Sequence, residues 1–207
     1  MKTPLTTFEP IKEYKFFTIE ECDKIKEYAY RKEDELIKEG HLQGEFDSVT
    51  TNNYFRYNFL RDHPIYAARL VDFLRQTHDN IEWPIAVQSW VNIYRKGAGI
   101  FWHNHLGTMG SSFAANIFID GPTKPGTVYL KETGYEINEL PIENKRGYIQ
   151  IFPTAILHKV DPVQSKRISV GITLHLGRNT VDHVLRHSND NDVNGGVIIL
   201  REDGMIL

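Results

Sequence analysis

The sequence predicts a mainly β fold, a barrel-like jelly roll with flanking α-helices. After residue 84 the pattern of residue types changes, and short runs rich in Val, Ile, Tyr and Phe alternate with Gly, Pro and Asn. No helical period returns until past Leu176. Seven or eight short strands in one open antiparallel sheet would leave edges and an apolar face exposed. A closed arrangement supported by helices is therefore expected.

Turn residues such as Lys96-Gly97 and Asp120-Gly121 separate the predicted strands. The strands are expected at residues 85–94, 100–105, 112–119, 127–131, 147–152, 157–161 and 167–175.

Two amphipathic helices are predicted before this β region. Thr18 and Glu21 form a capping-box pair, and the helix that follows should extend to about Gly40. Pro64 suits the first turn of a second helix that ends near Leu74. The residues expected to face the core are Ile19, Cys22, Ile25 and Ala29 in the first helix, and Ile65, Ala68, Val71 and Leu74 in the second.

The length of 207 residues favours a single domain. Within it we expect a helical N-terminal support over residues 1–84, a β core over 85–176 and a C-terminal extension over 177–207. The extension is polar, and Asp203-Gly204 is a candidate hairpin turn in it.

Composition excludes several classes of protein. A net charge of −3 gives no broad basic field, which argues against nucleic acid as a partner. Cys22 is the only cysteine, so no intramolecular disulfide can form, and the reducing cytoplasm is the expected location. The sequence has no apolar signal core near its N-terminus and no run of about 18 apolar residues, so we expect no membrane partner. Oligomerisation stays open.

Three histidines form a candidate catalytic metal site. His103 and His105 are two residues apart in a predicted strand, which puts both imidazoles on one face. His158 lies 53 residues beyond His105, so the fold would have to bring it to them. Three imidazoles suit Fe, Zn, Cu or Ni and leave coordination positions open, as catalytic sites require.

Two further pairs flank these ligands. Asn92 and Tyr94 share a strand face, and so do Arg167 and Ser169. Ile168, Val170 and Ile172 occupy the opposite face from Arg167, so its guanidinium should point inward and need an anion. A dicarboxylate would supply one.

This order of motifs resembles the 2-oxoglutarate/Fe(II) oxygenase superfamily over about residues 85–176. It is similar to the prolyl-hydroxylase-like and alkylation-repair branches, and to bacterial and phage members with a His-x-His core. The resemblance implies a double-stranded β-helix, the jelly roll that cupins also have, with Fe(II) on His103, His105 and His158. It implies 2-oxoglutarate with its far carboxylate on Arg167 and Ser169, contacts from Tyr94 and Asn92, dioxygen as co-substrate and ascorbate as a candidate reductant. The reaction would be a hydroxylation that releases succinate and CO2.

The sequence departs from the superfamily at His105, where a carboxylate is usual. Two alternatives stay open: a cupin-like metalloenzyme that does not use 2-oxoglutarate, and a non-catalytic barrel that binds a small ligand. The substrate, peptide or small molecule, is not specified by any motif.

Two further expectations concern residues around the ligands. Gln150 and Asn116 are candidate hydrogen-bond partners of the imidazoles. We expect the remaining histidines of the C-terminal half to lie in solvent: His175, His183 and His187.

Overall fold

The computed structural model describes residues 6–8, 10–38, 49–50, 57–78, 81–106, 113–133, 136–177, 181–182 and 196–204. In these ranges no helix is long and apolar enough to cross a membrane.

Three helices lie in the N-terminal part: α1 (Ile19–Lys38), α2 (Phe59–Asp62) and α3 (Pro64–Thr77). The capping box at the start of α1 is confirmed, because Thr18 N donates to Glu21 Oε2 and Glu21 N donates to Thr18 Oγ1. The core-facing stripes are partly wrong, since Ile19 is 45% exposed and Ile65 is 69% exposed. The other predicted residues are confirmed as buried, except for Ala68, which is half-buried: Cys22, Ile25, Ala29, Val71 and Leu74. The buried faces also include Tyr28 and Leu36 in α1 and Tyr66, Leu70 and Phe73 in α3.

Twelve strands form two antiparallel sheets in the described residues. The major sheet contains β1 (Thr6–Phe8), β2 (Ile11–Lys15), β3 (Val49–Thr50), β4 (Ile85–Tyr94), β6 (Phe113–Asp120), β9 (Tyr148–Pro153), β11 (Arg167–His175) and β12 (Val197–Leu200). The minor sheet contains β5 (Ile100–His103), β7 (Thr127–Thr133), β8 (Glu136–Ile142) and β10 (His158–Val160).

The strand order is β1-β2-β9-β6-β11-β4-β12 in the major sheet, with β3 beside β4, and β5-β10-β7-β8 in the minor sheet. The central strand β11 pairs with both β4 and β6. The two faces of the major sheet differ. One face is apolar, packs into the same core as α1 and α3, and includes Ile168, Val170 and Ile172. The other face, called the inner face below, carries Arg167 and Ser169 and contacts the minor sheet.

This arrangement confirms the mainly β, double-stranded β-helix prediction with flanking helices. The prediction of strand 100–105 was wrong at its end, because β5 stops at His103 and His105 follows in irregular chain. Both flanks also contribute strands to the major sheet: β1, β2 and β3 from the N-terminal segment and β12 from the C-terminal one. The division of the chain into one domain with three segments stays a prediction.

Candidate metal centre and anion pocket

Three imidazoles converge between the sheets. His103 ends β5 and pairs across strands with His158, the first residue of β10. His105 reaches the same place because its backbone N–H donates to the carbonyl of Thr154, 2.9 Å away. One ligand nitrogen from each ring lies within 4.8 Å of the others. The Nε2 atoms of His105 and His158 are 3.3 Å apart, and two nitrogens that each bind one metal at about 2.1 Å are separated by about 3.0 to 3.4 Å. The three rings could therefore hold a metal ion.

The other ring nitrogen of each histidine faces an oxygen. The Nδ1 atom of His103 is 2.8 Å from the carbonyl oxygen of Phe101, and that of His158 is 3.1 Å from the carbonyl oxygen of Ile156. A carbonyl can only accept, so both Nδ1 atoms must carry the proton and both Nε2 atoms the lone pair. His105 Nδ1 lies 3.4 Å from Thr173 Oγ1. These oxygens set the ring orientation that metal binding needs.

The pKa values of two of these imidazoles are strongly lowered. Burial lowers the pKa of His158 to about 3, with smaller effects from His103 and His105. Burial also lowers the pKa of His105 to about 4, followed by the effects of His103 and His175. Neutral imidazole is the form that binds metal, so both rings are ready to act as ligands at pH 7.

The same inner face carries a buried guanidinium. Arg167 is 1% exposed, pairs across strands with Tyr94, and lies 5.3 Å from the centre of that ring. Its acceptors are all neutral: Ser169 Oγ at 3.2 Å, Thr127 Oγ1 at 3.3 Å and Asn144 Oδ1 at 3.5 Å. Its Nε has no hydrogen-bond partner in the described parts of the chain. Burial lowers the pKa of Arg167, and Tyr94 and Tyr129 offset this effect only in part. A buried guanidinium of this kind needs an anion.

All seven predicted site residues therefore lie on or beside the inner face. Asn92 and Ser169 are cross-strand partners, one residue pair along from Tyr94 and Arg167. Asn92 is half-buried, whereas Ser169 is fully buried. The strand register links the pocket to the metal centre, because Thr173 lies on the same face of β11 as Arg167 and contacts His105.

Two residues that were predicted to bind the imidazoles bind other side chains instead. The prediction that Gln150 and Asn116 contact the imidazoles was wrong: Gln150 binds Tyr129 and Glu13, and Asn116 binds Thr127. From β9 and β6 the two side chains reach Tyr129 and Thr127 of the minor sheet instead.

His175 was expected in solvent, yet it is 3% exposed, since it shares the face of β11 that carries Thr173. That two-residue period was readable in the sequence. His183 and His187 lie outside the described residues.

Solved structures resemble this fold. A prolyl-4-hydroxylase from Pseudomonas putida aligns with a TM-score of 0.54 and 12% identity, covering 80% of this chain and 91% of that one. The viral collagen prolyl hydroxylase vCPH from Paramecium Bursaria Chlorella virus-1, in a 2-oxoglutarate complex, aligns with a TM-score of 0.55 and 17% identity, covering 79% of this chain and 94% of that one. The nogalamycin-biosynthesis epimerase SnoN, in complex with Fe3+, α-ketoglutarate and nogalamycin RO, aligns with a TM-score of 0.54 and 14% identity, covering 80% of this chain and 78% of that one.

No protein-family model and no curated protein sequence matches this chain. At such low identity the likeness lies in the fold. The chain has the double-stranded β-helix fold of 2-oxoglutarate- and iron-dependent oxygenases, with three imidazoles in it that could hold a metal ion.

Proposed function

We propose that this protein is an Fe(II)- and 2-oxoglutarate-dependent oxygenase that hydroxylates a substrate not yet identified. The observation that carries the proposal is the pairing of two features on one inner face. Three converging imidazoles could hold the metal, and a buried guanidinium with only neutral acceptors could hold a dicarboxylate. The overall reaction balances as 2-oxoglutarate, O2 and R–H giving succinate, CO2 and R–OH.

His103, His105 and His158 would hold the iron through one nitrogen each. When bound, the iron supplies the redox chemistry that couples decarboxylation of the keto acid to oxidation of a substrate C–H bond. The protein's own part is to fix the ligands and to exclude water. The oxygens of Phe101, Ile156 and Thr173 orient the rings.

Arg167 and Ser169 would bind the far carboxylate of 2-oxoglutarate. Arg167, Ser169 and Tyr94 are all buried, so the ion pair would form out of water, where it is strong. Tyr94 forms one wall over the guanidinium. Asn92 lies next to Ser169 across the strands and would donate its amide to the co-substrate.

The His105 imidazole makes the ligand set neutral where a carboxylate would make it anionic. A neutral set attracts a divalent cation less strongly, and imidazoles favour Cu(II), Ni(II) and Zn(II) over Fe(II). We therefore expect Zn(II) to compete with Fe(II) in this site, and assays need strict control of trace metals.

The substrate class is open between peptides and small molecules. The similar structures include a prolyl hydroxylase from Trichoplax adhaerens in complex with a hypoxia inducible factor peptide fragment, as well as the epimerase with nogalamycin RO. The fold alone does not choose between them.

The test is an anaerobic titration of apoprotein with Fe(II) and then 2-oxoglutarate, followed by the weak visible charge-transfer band of a chelated keto acid. The band should form in wild type, vanish in His103→Ala and need at least about tenfold more 2-oxoglutarate in Arg167→Ala, which removes an ion pair. His78→Ala, at the end of α3, is the control and should behave as wild type. Iron binding without the band would favour the cupin-like alternative, and no metal binding would favour a non-catalytic barrel.

A further inference from the structure

A chain of buried polar side chains, called the relay below, joins Arg167 to a buried carboxylate outside the predicted β core. Arg167 Nη2 donates to Thr127 Oγ1 at 3.3 Å. Thr127 and Tyr129 lie two residues apart on one face of β7, so the Thr127 hydroxyl lies on the same side of the strand as the Tyr129 phenol. Tyr129 Oη donates to Gln150 Oε1 at 2.8 Å. Gln150 Nε2 donates to Glu13 Oε2 at 3.2 Å. The relay therefore spans both sheets and ends on β2.

Every member of this relay is buried, and Glu13 is 0% exposed. Lys145 links the far end to the surface, since its Nζ is 2.5 Å from Glu13 Oε1 and its side chain is 46% exposed. A buried carboxylate held in this way is costly to desolvate, so its retention calls for a reason beyond packing.

The two ends of the relay fix the direction of every bond in it. A guanidinium can only donate and a carboxylate can only accept. Glu13 can therefore bind Gln150 only as the acceptor of a hydrogen bond from Nε2. This orientation turns Gln150 Oε1 towards Tyr129, so the Tyr129 hydroxyl must donate to it.

At the other end the same logic applies to Thr127. Its oxygen accepts from Arg167 and from Asn116 Nδ2, so its own hydrogen points to Tyr129. The bond dipoles all point the same way, which strengthens each of them.

We propose that Glu13 is a positioning residue for the anion pocket, which acts through Gln150, Tyr129 and Thr127 to hold the Arg167 guanidinium in place. The inference rests on the proposed function, in which Arg167 binds the far carboxylate of 2-oxoglutarate. With the acceptor-only group in place, Thr127 presents a lone pair to Arg167 and leaves the Nε edge of the guanidinium for the anion.

Glu13→Gln removes this constraint at little cost in volume. A carboxamide can donate as well as accept, so Gln150 can turn over and the Tyr129 and Thr127 hydroxyls can reverse. Arg167 then loses a fixed acceptor. The dissociation constant of 2-oxoglutarate should rise about tenfold, which corresponds to the loss of one hydrogen bond to a charged group. Metal affinity should stay unchanged, because Glu13→Gln leaves the ring contact of Tyr129 with His158 in place and changes no side chain that touches the three imidazoles in the described ranges.

The experiment is calorimetric titration of the Mn(II)-loaded protein with 2-oxoglutarate for wild type, Glu13→Gln, Tyr129→Phe and the double variant. Since both single changes cut the same relay, the double variant should also bind about tenfold more weakly than wild type, rather than about a hundredfold. Glu21→Gln, which breaks the ion pair of α1 with Arg69, is the matched control and should leave 2-oxoglutarate binding unchanged.

The outcomes separate the two proposals. If wild type binds Mn(II) but not 2-oxoglutarate, the proposed function fails. If wild type and Glu13→Gln bind 2-oxoglutarate equally well, the positioning role of Glu13 is disproved and the proposed function stands. The same holds if the double variant binds about a hundredfold more weakly than wild type, because the effects of Glu13→Gln and Tyr129→Phe would then be independent. Should Glu13→Gln not fold, Gln150→Met cuts the relay at its middle with a side chain of similar size, and the same tenfold change is expected.

Discussion

The orientation of the three imidazoles depends on groups that differ in kind. His103 and His158 are held by main-chain carbonyls two residues before them, which any sequence would supply. His105 depends on a side chain, the hydroxyl of Thr173, which comes from a strand of the other sheet. Thr173 is therefore an orienting group at this centre that a point mutation can remove, unlike the two main-chain carbonyls.

Thr173→Val should weaken metal binding by about tenfold, within the range seen when an outer hydrogen-bond partner of a ligand is lost. Valine has the shape of threonine but leaves His105 Nδ1 without this oxygen, so the ring can turn. The measurement is competition for Zn(II) with a chromophoric chelator. Thr77→Val, in which the lost hydroxyl binds Phe73 O in α3, serves as control and should keep wild-type affinity. Equal affinity in Thr173→Val and wild type would mean that packing alone orients His105.

Single residues could be predicted where the strand period was the only information needed. Arg167 was expected to point inward because its neighbours alternate with it, and it is buried. Thr173 could not be assigned to His105, because the contact depends on how two sheets face each other. Glu13 was missed for the same reason, since its partner Gln150 lies 137 residues away.

At the level of elements, the pairing of β4 with β11 depends on a glycine. Gly171 is the cross-strand partner of Trp90. A Cβ atom at Gly171 would lie 2.4 Å from the Trp90 ring, so only glycine lets the indole cross the strand there. The Trp90 ring in turn lies 5.6 Å from that of His105, centre to centre. Trp90 of β4, which lies across Gly171 of β11, therefore forms part of the wall of the metal centre.

Gly171→Ala should lower the free energy of unfolding by about 1 to 3 kcal/mol, as overpacking of a core does, and should shift the tryptophan fluorescence. Urea denaturation measures the first effect. Trp90→Phe in the Gly171→Ala background removes part of the clashing ring and should recover some of the loss. If alanine is tolerated without any change, the indole has room to move and does not support His105.

Elements with a clear period were predicted closely, and those without one were missed. The apolar strand β11 was predicted with the observed bounds, Arg167–His175. In contrast, β8 has no clear period, because the polar residues Asn138 and Glu139 are adjacent, and its described side chains are mostly exposed. The short, Lys-rich β2 has no turn signal that marks it as a strand. β2 forms through pairing with β9, far along the chain, which local patterns do not reveal, whereas β8 directly follows β7 and pairs with it as a hairpin.

For the whole molecule, the inner space combines buried polar groups of both charge types with neutral imidazoles. The apolar outer face of the major sheet and the helices that cover it make the core that stabilises this arrangement. Hydrophobic patterning predicted that core. The order of strands in the sheets depends on contacts far apart in sequence, so composition and period could give the fold class but not the polar relay.

The fold should also be sensitive to acid because it buries neutral imidazoles. Burial lowers the pKa of His175 to about 4, whereas an imidazole in the unfolded chain titrates near 6.5. His158 is shifted in the same direction, to about 3. As the pH falls from 6.5 to 4, the unfolded chain takes up protons that the folded chain does not. The free energy of unfolding is therefore highest above pH 6.5 and falls across this window, by about 1.4 kcal/mol per pH unit for each imidazole.

Replacement of His175 by leucine tests this link for an imidazole that is not one of the three predicted ligands. Neither ring nitrogen of His175 has a hydrogen-bond partner within the described ranges, so His175→Leu should raise the free energy of unfolding at pH 7 by about 1 to 2 kcal/mol. Urea denaturation of metal-free protein at pH 7, 6, 5 and 4.5 should also show a smaller loss of stability in the variant. Thr77→Val changes no titrating group and should lose stability in parallel with wild type. If His175→Leu and wild type lose stability equally, the imidazole takes up its proton in the folded state as readily as in the unfolded chain, and its burial does not contribute to the acid sensitivity.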